Sequence, residues 1–239
     1  MNFDTEKHLI LKHVAGSQAY GTASEDSDTD YRGILIPPKS FFLGLDSFEQ
    51  YETKDPDVVF YDIRKFTRLA LQTNPNILET LFVDDYLLIT PYGKKLLDIR
   101  SEFLTRACIR TYLGYAKQQL YRLNINPAPS SRSDKRMALV EKFGYDTKYA
   151  MHLIRLLRTG IEVLTEGILR VKRPDAAFLL DIRNGKYTKK EIEEMATELT
   201  DQLKQAEQTS PLPEKADYHK VNKVVTEIVE EFLENNKCL

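Results

Sequence analysis

The segment Asp28-Thr29-Asp30 constrains this chain more than any other. It opens a run, Asp28 to Ile36 (DTDYRGILI), that reads as a β-strand halted by Pro37-Pro38. Side chains on a strand alternate faces, so Asp28 and Asp30 are expected on one face and Thr29 and Tyr31 on the other. Like charges held side by side are unfavourable without a counter-charge. A divalent cation is the simplest remedy, and carboxylate oxygens suit Mg²⁺ or Mn²⁺. By the same parity Arg32 falls on the carboxylate face, where it either pairs with an acid or reaches a phosphate.

Upstream, His8 to Ala15 (HLILKHVA) reads as a first strand. Gly16-Ser17 ends it, a short helical turn over Gln18 to Tyr20 follows, and Gly21 to Ser27 is a polar loop. A glycine and a hydroxyl at such a junction offer backbone N–H groups, one O–H and close approach to a phosphate. A phosphate cradle beside a carboxylate pair is what phosphoryl transfer requires, because the attacking and leaving oxygens must be held while charge is neutralised. A third carboxylate is expected from a neighbouring strand. Asp57 opens the run Asp57 to Tyr61, and Asp62 follows on the opposite face. Asp57 is therefore read as the ligand and Asp62 as a helix cap.

The rest of the chain divides into two regimes. Phe48 to Thr53 and Val58 to Tyr61 read as paired strands around Lys54-Asp55-Pro56-Asp57. Asp62 caps a helix to about Leu71, with Phe66, Leu69 and Ala70 inward. Asn74-Pro75-Asn76 breaks it and caps a short helix, Ile77 to Phe82, and Thr90-Pro91 starts another. Beyond that the pattern is helical: Ser101 to Leu123, Tyr145 to Glu166 opened by Asp146, a capping-box helix from Thr188 and Glu191 to about Gln208, and Asp217 to Glu234. Asn124 to Ser133 (NINPAPSSRS) reads as a flexible loop. The expected class is α+β: a small mixed β-sheet with flanking helices in residues 1–95, followed by a helical domain in residues 96–239.

Composition bounds the function. The chain is 42% hydrophobic and 29% charged, as ordinary globular proteins are. No apolar run approaches the roughly 18 residues that span a bilayer, so no membrane association is expected. The N-terminus lacks a secretory pattern, and the two cysteines, Cys108 and Cys238, form neither a metal-ligand spacing nor a disulfide framework, so the expected location is cytoplasmic. A net charge of −2 argues against wholesale coating of nucleic acid. The segment Ser131 to Arg173 nevertheless holds ten cations against five anions, a local excess of +5. Within it Lys148, His152 and Arg155 fall at i, i+4 and i+7 on one helical stripe, which Tyr145 extends by a turn. Met151, Ile154, Leu157 and Ile161 form a separate apolar stripe. The basic stripe reads either as a solvated face or as a set of phosphate contacts. Glu79 either holds the Asn-Pro loop or serves the acceptor site, and His8, His13 and His219 carry no pattern.

The run Gly16 to Asp30 (GSQAYGTASEDSDTD) resembles the signature of the DNA polymerase β-like nucleotidyltransferase superfamily. The stretches Asp57 to Phe66 (DVVFYDIRKF), Asn74 to Glu79 (NPNILE) and Gly144 to Leu156 (GYDTKYAMHLIRL) are similar to its bacterial and phage branch, linked to an RNA repair pathway. The resemblance implies that Gly16 and Ser17 hold a triphosphate and that Asp28 and Asp30 bind Mg²⁺ or Mn²⁺. It makes Asp57 a third metal ligand that also activates the acceptor hydroxyl. It favours the phosphate reading of the stripe Lys148, His152 and Arg155, extended by Tyr145, as nucleotide contacts, while Arg32 is a candidate contact by strand parity. The implied reaction transfers a nucleoside monophosphate from an NTP such as ATP to an acceptor hydroxyl, with RNA as the acceptor. Transfer to a small molecule or a protein hydroxyl is the alternative. A catalytically silent nucleotide-binding module is a third reading, against which the intact Gly-Ser pair and both aspartates speak.

Overall fold

The computed structural model describes residues 3–24, 27–124 and 134–236. In chain order the elements are β1 (Leu9–Ala15), α1 (Gly16–Tyr20), β2 (Asp30–Leu35), α2 (Ser40–Leu43), β3 (Gln50–Lys54), β4 (Asp57–Asp62), α3 (Ile63–Leu71), α4 (Pro75–Leu78), β5 (Leu88–Ile89) and α5 (Pro91–Asp98). There follow α6 (Cys108–Asn124), α7 (Asp134–Phe143), α8 (Thr147–Glu166), α9 (Ala176–Arg183), α10 (Lys189–Thr209) and α11 (Tyr218–Asn235). The class is α+β, with a mixed sheet, flanking helices and a helical region after it, as the sequence pattern led one to expect. Among the described residues no helix is long and apolar enough to cross a membrane.

The chain folds as two compact units. One comprises residues 1–105 and 215–239, the other residues 106–214. The division differs from the single boundary expected at residue 95, because α11 packs with the sheet unit: the Phe232 ring meets Tyr92 of α5 at 5.2 Å and His8 at 5.9 Å. Lys95 pairs with Glu231 across the same seam.

In the sheet unit the strand order is β3-β4-β2-β1-β5. β1 runs antiparallel to β2 and β5, β2 is parallel to β4, and β3 is antiparallel to β4. One face buries Leu9, Leu35, Phe48 and Phe60, with Phe3, Phe41, Tyr51, Val58 and Leu88 around them. The other face receives α5 at Gly93, where a Cβ would lie 2.3 Å from the Ile10 carbonyl oxygen, and α3 through the Phe66 ring against Tyr61. The turn chemistry is local. Asp62 caps α3 by accepting from the backbone N–H of Arg64 and Lys65, Asn74 caps α4, and Thr90 caps α5 ahead of Pro91.

The helical unit is built on α6, α8 and α10. They approach closely at Gly160, where a Cβ would meet Leu203 and Tyr112 at 3.0 Å. Met151, Ile154 and Leu157 of the expected apolar stripe are buried there. Asp146 caps α8, and Thr188 with Glu191 closes the capping box of α10. α6 begins at Cys108 rather than at Ser101, because Arg100–Phe103 forms a separate 3-10 turn and Leu104 is extended. The buried Arg173 guanidinium holds Glu162 (Nη2–Oε1 2.6 Å, Nη1–Oε2 2.7 Å) and Asp175 (Nε–Oδ1 2.9 Å). Burial opposes its charge, yet these two carboxylates outweigh that and hold its pKa above the ordinary value. The Cys108 thiol, free and buried, is pushed up to about 12 by burial, which marks it as a packing residue.

Candidate active site

The topology gathers the Gly-Ser junction and two of the acids at one end of the sheet. β1 ends at Ala15, which pairs with Asp30, the first residue of its antiparallel neighbour β2. β4 runs parallel to β2 with Tyr31 opposite Val58, so its first residue, Asp57, starts at the same end. Gly16 and Ser17 follow Ala15 directly and open α1.

Gly16 is fixed by two constraints at once. Its φ is +66°, and a Cβ there would sit 2.1 Å from Oδ2 of Asp30. The Asp30 carboxylate therefore lies over the Gly16 backbone, in space that a side chain at residue 16 would fill. The Ser17 carbonyl accepts from the Thr22 backbone N–H at 2.9 Å, folding the following turn back, and Gly21 ends α1 with φ 73°. Gln18 donates to the Thr29 hydroxyl at 2.8 Å, which ties α1 to the Asp28-Thr29-Asp30 segment. Tyr20 donates to Glu79 Oε2 at 2.6 Å, tying α1 to the turn after α4. Glu79 thus braces the Gly-Ser helix.

Asp28 precedes β2 rather than lying within it, since the strand starts at Asp30. Strand parity therefore applies to Asp30 and Arg32 but not to Asp28. Arg32 meets Asp57 as a two-pronged ion pair, Nη1–Oδ1 3.1 Å and Nη2–Oδ2 3.4 Å. Nη1 also donates to the carbonyls of Tyr31 and Asp57. Asp62 sits at the far end of β4, where it is buried, caps α3 and pairs with Arg64 at 2.8 Å.

Asp28 and Asp30 are hard oxygen donors of the kind Mg²⁺ or Mn²⁺ takes. Asp57 does not complete a set with them in this arrangement, because Arg32 occupies both its oxygens. Among the described residues no group of three or more His, Cys, Asp or Glu side chains is close enough to hold a metal ion.

One neighbour of the site escaped sequence reasoning. His13 is buried opposite Arg32 on β1, with Nδ1 2.8 Å from the Val14 carbonyl and Nε2 3.1 Å from the Thr80 hydroxyl. The carbonyl fixes the proton on Nδ1, so Nε2 accepts from Thr80, whose carbonyl in turn accepts from Tyr86. Burial depresses its pKa, and Arg32 adds to that against the opposing pull of the Val14 carbonyl and Glu79. Its place two residues before Ala15, on the face that Asp30 and Arg32 share, is the parity signal that finds it.

The second constellation lies in the helical unit. Tyr145 is buried and donates to the Tyr187 carbonyl at 2.5 Å; burial raises its pKa, with Glu191 adding to the effect. Lys148 and His152 are half-buried on α8, and Arg155 is buried. The stripe is therefore not a fully solvated face.

Comparison with known proteins places the chain. The model of the family described as the RNA repair pathway DNA polymerase beta family matches residues 2–227. A 38.9 kDa protein from the nrdC-mobD intergenic region of Enterobacteria phage T4 is 29% identical over 125 residues, covering 46% of this chain and 37% of that protein. The YcgL protein of Bacillus subtilis (strain 168) is 30% identical over 119 residues, covering 47% of this chain and 45% of that protein. The matches thus span less than half the length of either relative. A crystal structure of a nucleotidyltransferase-like protein from Exiguobacterium sibiricum 255-15 aligns over 96% of this chain and 75% of its own, at 11% identity and a TM-score of 0.28. On the near full-length family match, the chain belongs to the RNA repair pathway DNA polymerase beta family, a polymerase β-like nucleotidyltransferase family.

Proposed function

We propose that this chain transfers a nucleoside monophosphate from an NTP to a hydroxyl of RNA, releasing pyrophosphate. The observation that supports it is the convergence of Gly16-Ser17, Asp30 and Asp57 at one end of the sheet. In this reading the Gly16-Ser17 turn and the Arg32 guanidinium hold phosphate oxygens. The acceptor hydroxyl attacks the α-phosphorus, a new O–P bond forms, and the bond to the β-phosphate oxygen breaks. The hydroxyl proton passes to Asp57, and pyrophosphate leaves with the bonding electron pair. Asp28 and Asp30, joined by Asp57 once Arg32 turns to phosphate, would hold Mg²⁺ or Mn²⁺, which when bound would supply charge neutralisation for the phosphates.

Three further assignments belong to the proposal. Tyr145, Lys148, His152 and Arg155, read from their helical spacing, are assigned as nucleotide contacts, and Lys148→Ala is expected to raise KM with little change in kcat. RNA as acceptor is supported by the family's description and by the +5 excess between Ser131 and Arg173. A reducing cytoplasm is the compartment we assign, in keeping with the free, buried Cys108.

The test is a screen of α-labelled NTPs with Mg²⁺ against RNA, protein and small-molecule acceptors. Label on RNA, with binding that weakens steeply as salt rises, supports the proposal. Label only on protein or a small molecule overturns the RNA assignment. NTP binding without any pyrophosphate release marks a silent binding module instead.

A further inference from the structure

We propose that Arg32 is an internal counter-cation of Asp57, which competes with a divalent cation for the same two oxygens and passes to substrate phosphate when the cation displaces it. The inference rests on the nucleotidyltransferase reading of the site. Its starting point is the two-pronged contact at 3.1 and 3.4 Å, which commits both Asp57 oxygens to the guanidinium. A carboxylate so engaged cannot also offer those lone pairs to a metal.

Exposure, geometry and position make the pair exchangeable. Its side chains are 25% and 46% exposed, so ions reach it from solvent. An ion pair that open to water is weak against what a divalent cation gains from an added carboxylate. The guanidinium fork also fits a phosphate as well as it fits a carboxylate, so a released Arg32 has a partner in the substrate. Position keeps it in reach, since Arg32 shares a strand face with Asp30. Across the strand pair His13 is buried opposite Arg32, where burial disfavours its charged form.

The arrangement orders events. Asp57 is neutralised by Arg32 until metal and triphosphate arrive together, and only their joint arrival gives both Asp57 and Arg32 a new partner. Either ligand alone leaves one charge of the pair uncompensated.

The test uses the full chain and two binding measurements: Mn²⁺ alone, by electron paramagnetic resonance, and ATP in the presence of a chelator, by calorimetry. Arg32→Gln is expected to tighten Mn²⁺ about tenfold and to weaken metal-free ATP about tenfold. Opposite signs are diagnostic, because a merely structural arginine would weaken both. Arg32→Lys, which keeps the charge but loses the fork, is expected between wild type and Arg32→Gln on both axes. In the Asp57→Asn background Arg32→Gln should no longer tighten Mn²⁺. Circular dichroism melts verify that each variant is folded. Wild type that binds Mn²⁺ and ATP while Arg32→Gln binds Mn²⁺ no more tightly overturns the exchange alone. Wild type that binds neither overturns the nucleotidyltransferase reading, and the exchange falls with it.

Discussion

Arg173 and Arg32 each hold a carboxylate with two prongs, and burial sets them to different tasks. Arg173 is 1% exposed, and its partners Glu162 and Asp175 are 19% and 17% exposed. It also donates to the Thr159 hydroxyl, and Asp175 takes a second cation, Arg158, at 2.8 Å. Every charge in that network is matched inside the helical unit. Arg32 has one carboxylate, at longer distances, with a quarter of its side chain and nearly half of Asp57 open to water. The Arg173 network acts as a fastener between α8 and the segment leading to α9. The Arg32 pair is a contact that other ions can replace. Net charge balance is the same in kind; solvent access decides which pair can take part in chemistry.

That contrast breaks first, if it breaks, on stability. Arg173→Met leaves the half-buried carboxylates of Glu162 and Asp175 without their shared buried cation and is expected to cost about 3 kcal/mol in denaturant unfolding. Arg32→Gln is expected to cost no more than about 1 kcal/mol in the same experiment. Equal costs would make Arg32 a fastener too and remove the distinction.

Gly16→Ala sharpens the account on the site's side. It places a methyl in the space of the Asp30 carboxylate and forces an L residue to φ +66°. Nucleotidyl transfer should fall about a hundredfold, as expected for a displacement near 1 Å at a reacting centre, while the thermal midpoint drops only modestly. A loss of folding without that disproportionate loss of activity would make Gly16 a structural turn alone. Tyr20→Phe removes the brace to Glu79 and is expected to cost about 1 kcal/mol, read by thermal melts.

The smallest effect concerns His13. Its folded-state pKa lies below the ordinary value of 6.5, so below that pH the unfolded chain binds more protons than the folded one. Its contribution to stability is full above pH 6.5 and declines as pH falls towards the depressed value. Denaturation midpoints at pH 7.5 and 5.0 should therefore differ less in His13→Gln than in wild type.

Much of this was legible in the sequence where the interactions are local. The caps Asp62, Asn74, Thr90, Asp146, Thr188 and Asp217 each bond a backbone N–H two or three residues on, so residue type and spacing reveal them. Alternation along a short strand sets Asp57 and Asp62 on opposite faces, and Asp62 caps α3 as its place before the helix suggests. Features set by distant partners were not legible. The Arg32–Asp57 pair joins residues 25 apart across parallel strands, and parity could place Arg32 on the right face without naming its partner. α11 joins the sheet unit through Phe232, Tyr92 and His8, contacts that no local pattern records. α9 (Ala176–Arg183) lacked a cap bond to mark its start. The strand pattern reaches back to Asp28, but β2 begins two residues later at Asp30, so strand parity does not link the two carboxylates.

The central claim is that the end of the sheet bearing Gly16, Asp30 and Asp57 carries out nucleotidyl transfer. It is tested most directly by following α-labelled phosphate from an NTP to RNA with Mg²⁺, in wild type and in Asp30→Asn of matched thermal stability. The account predicts transfer by wild type and a loss of about a thousandfold or more in Asp30→Asn, the scale seen when a charge-stabilising group at a reacting centre is removed. Near wild-type transfer by Asp30→Asn would contradict it.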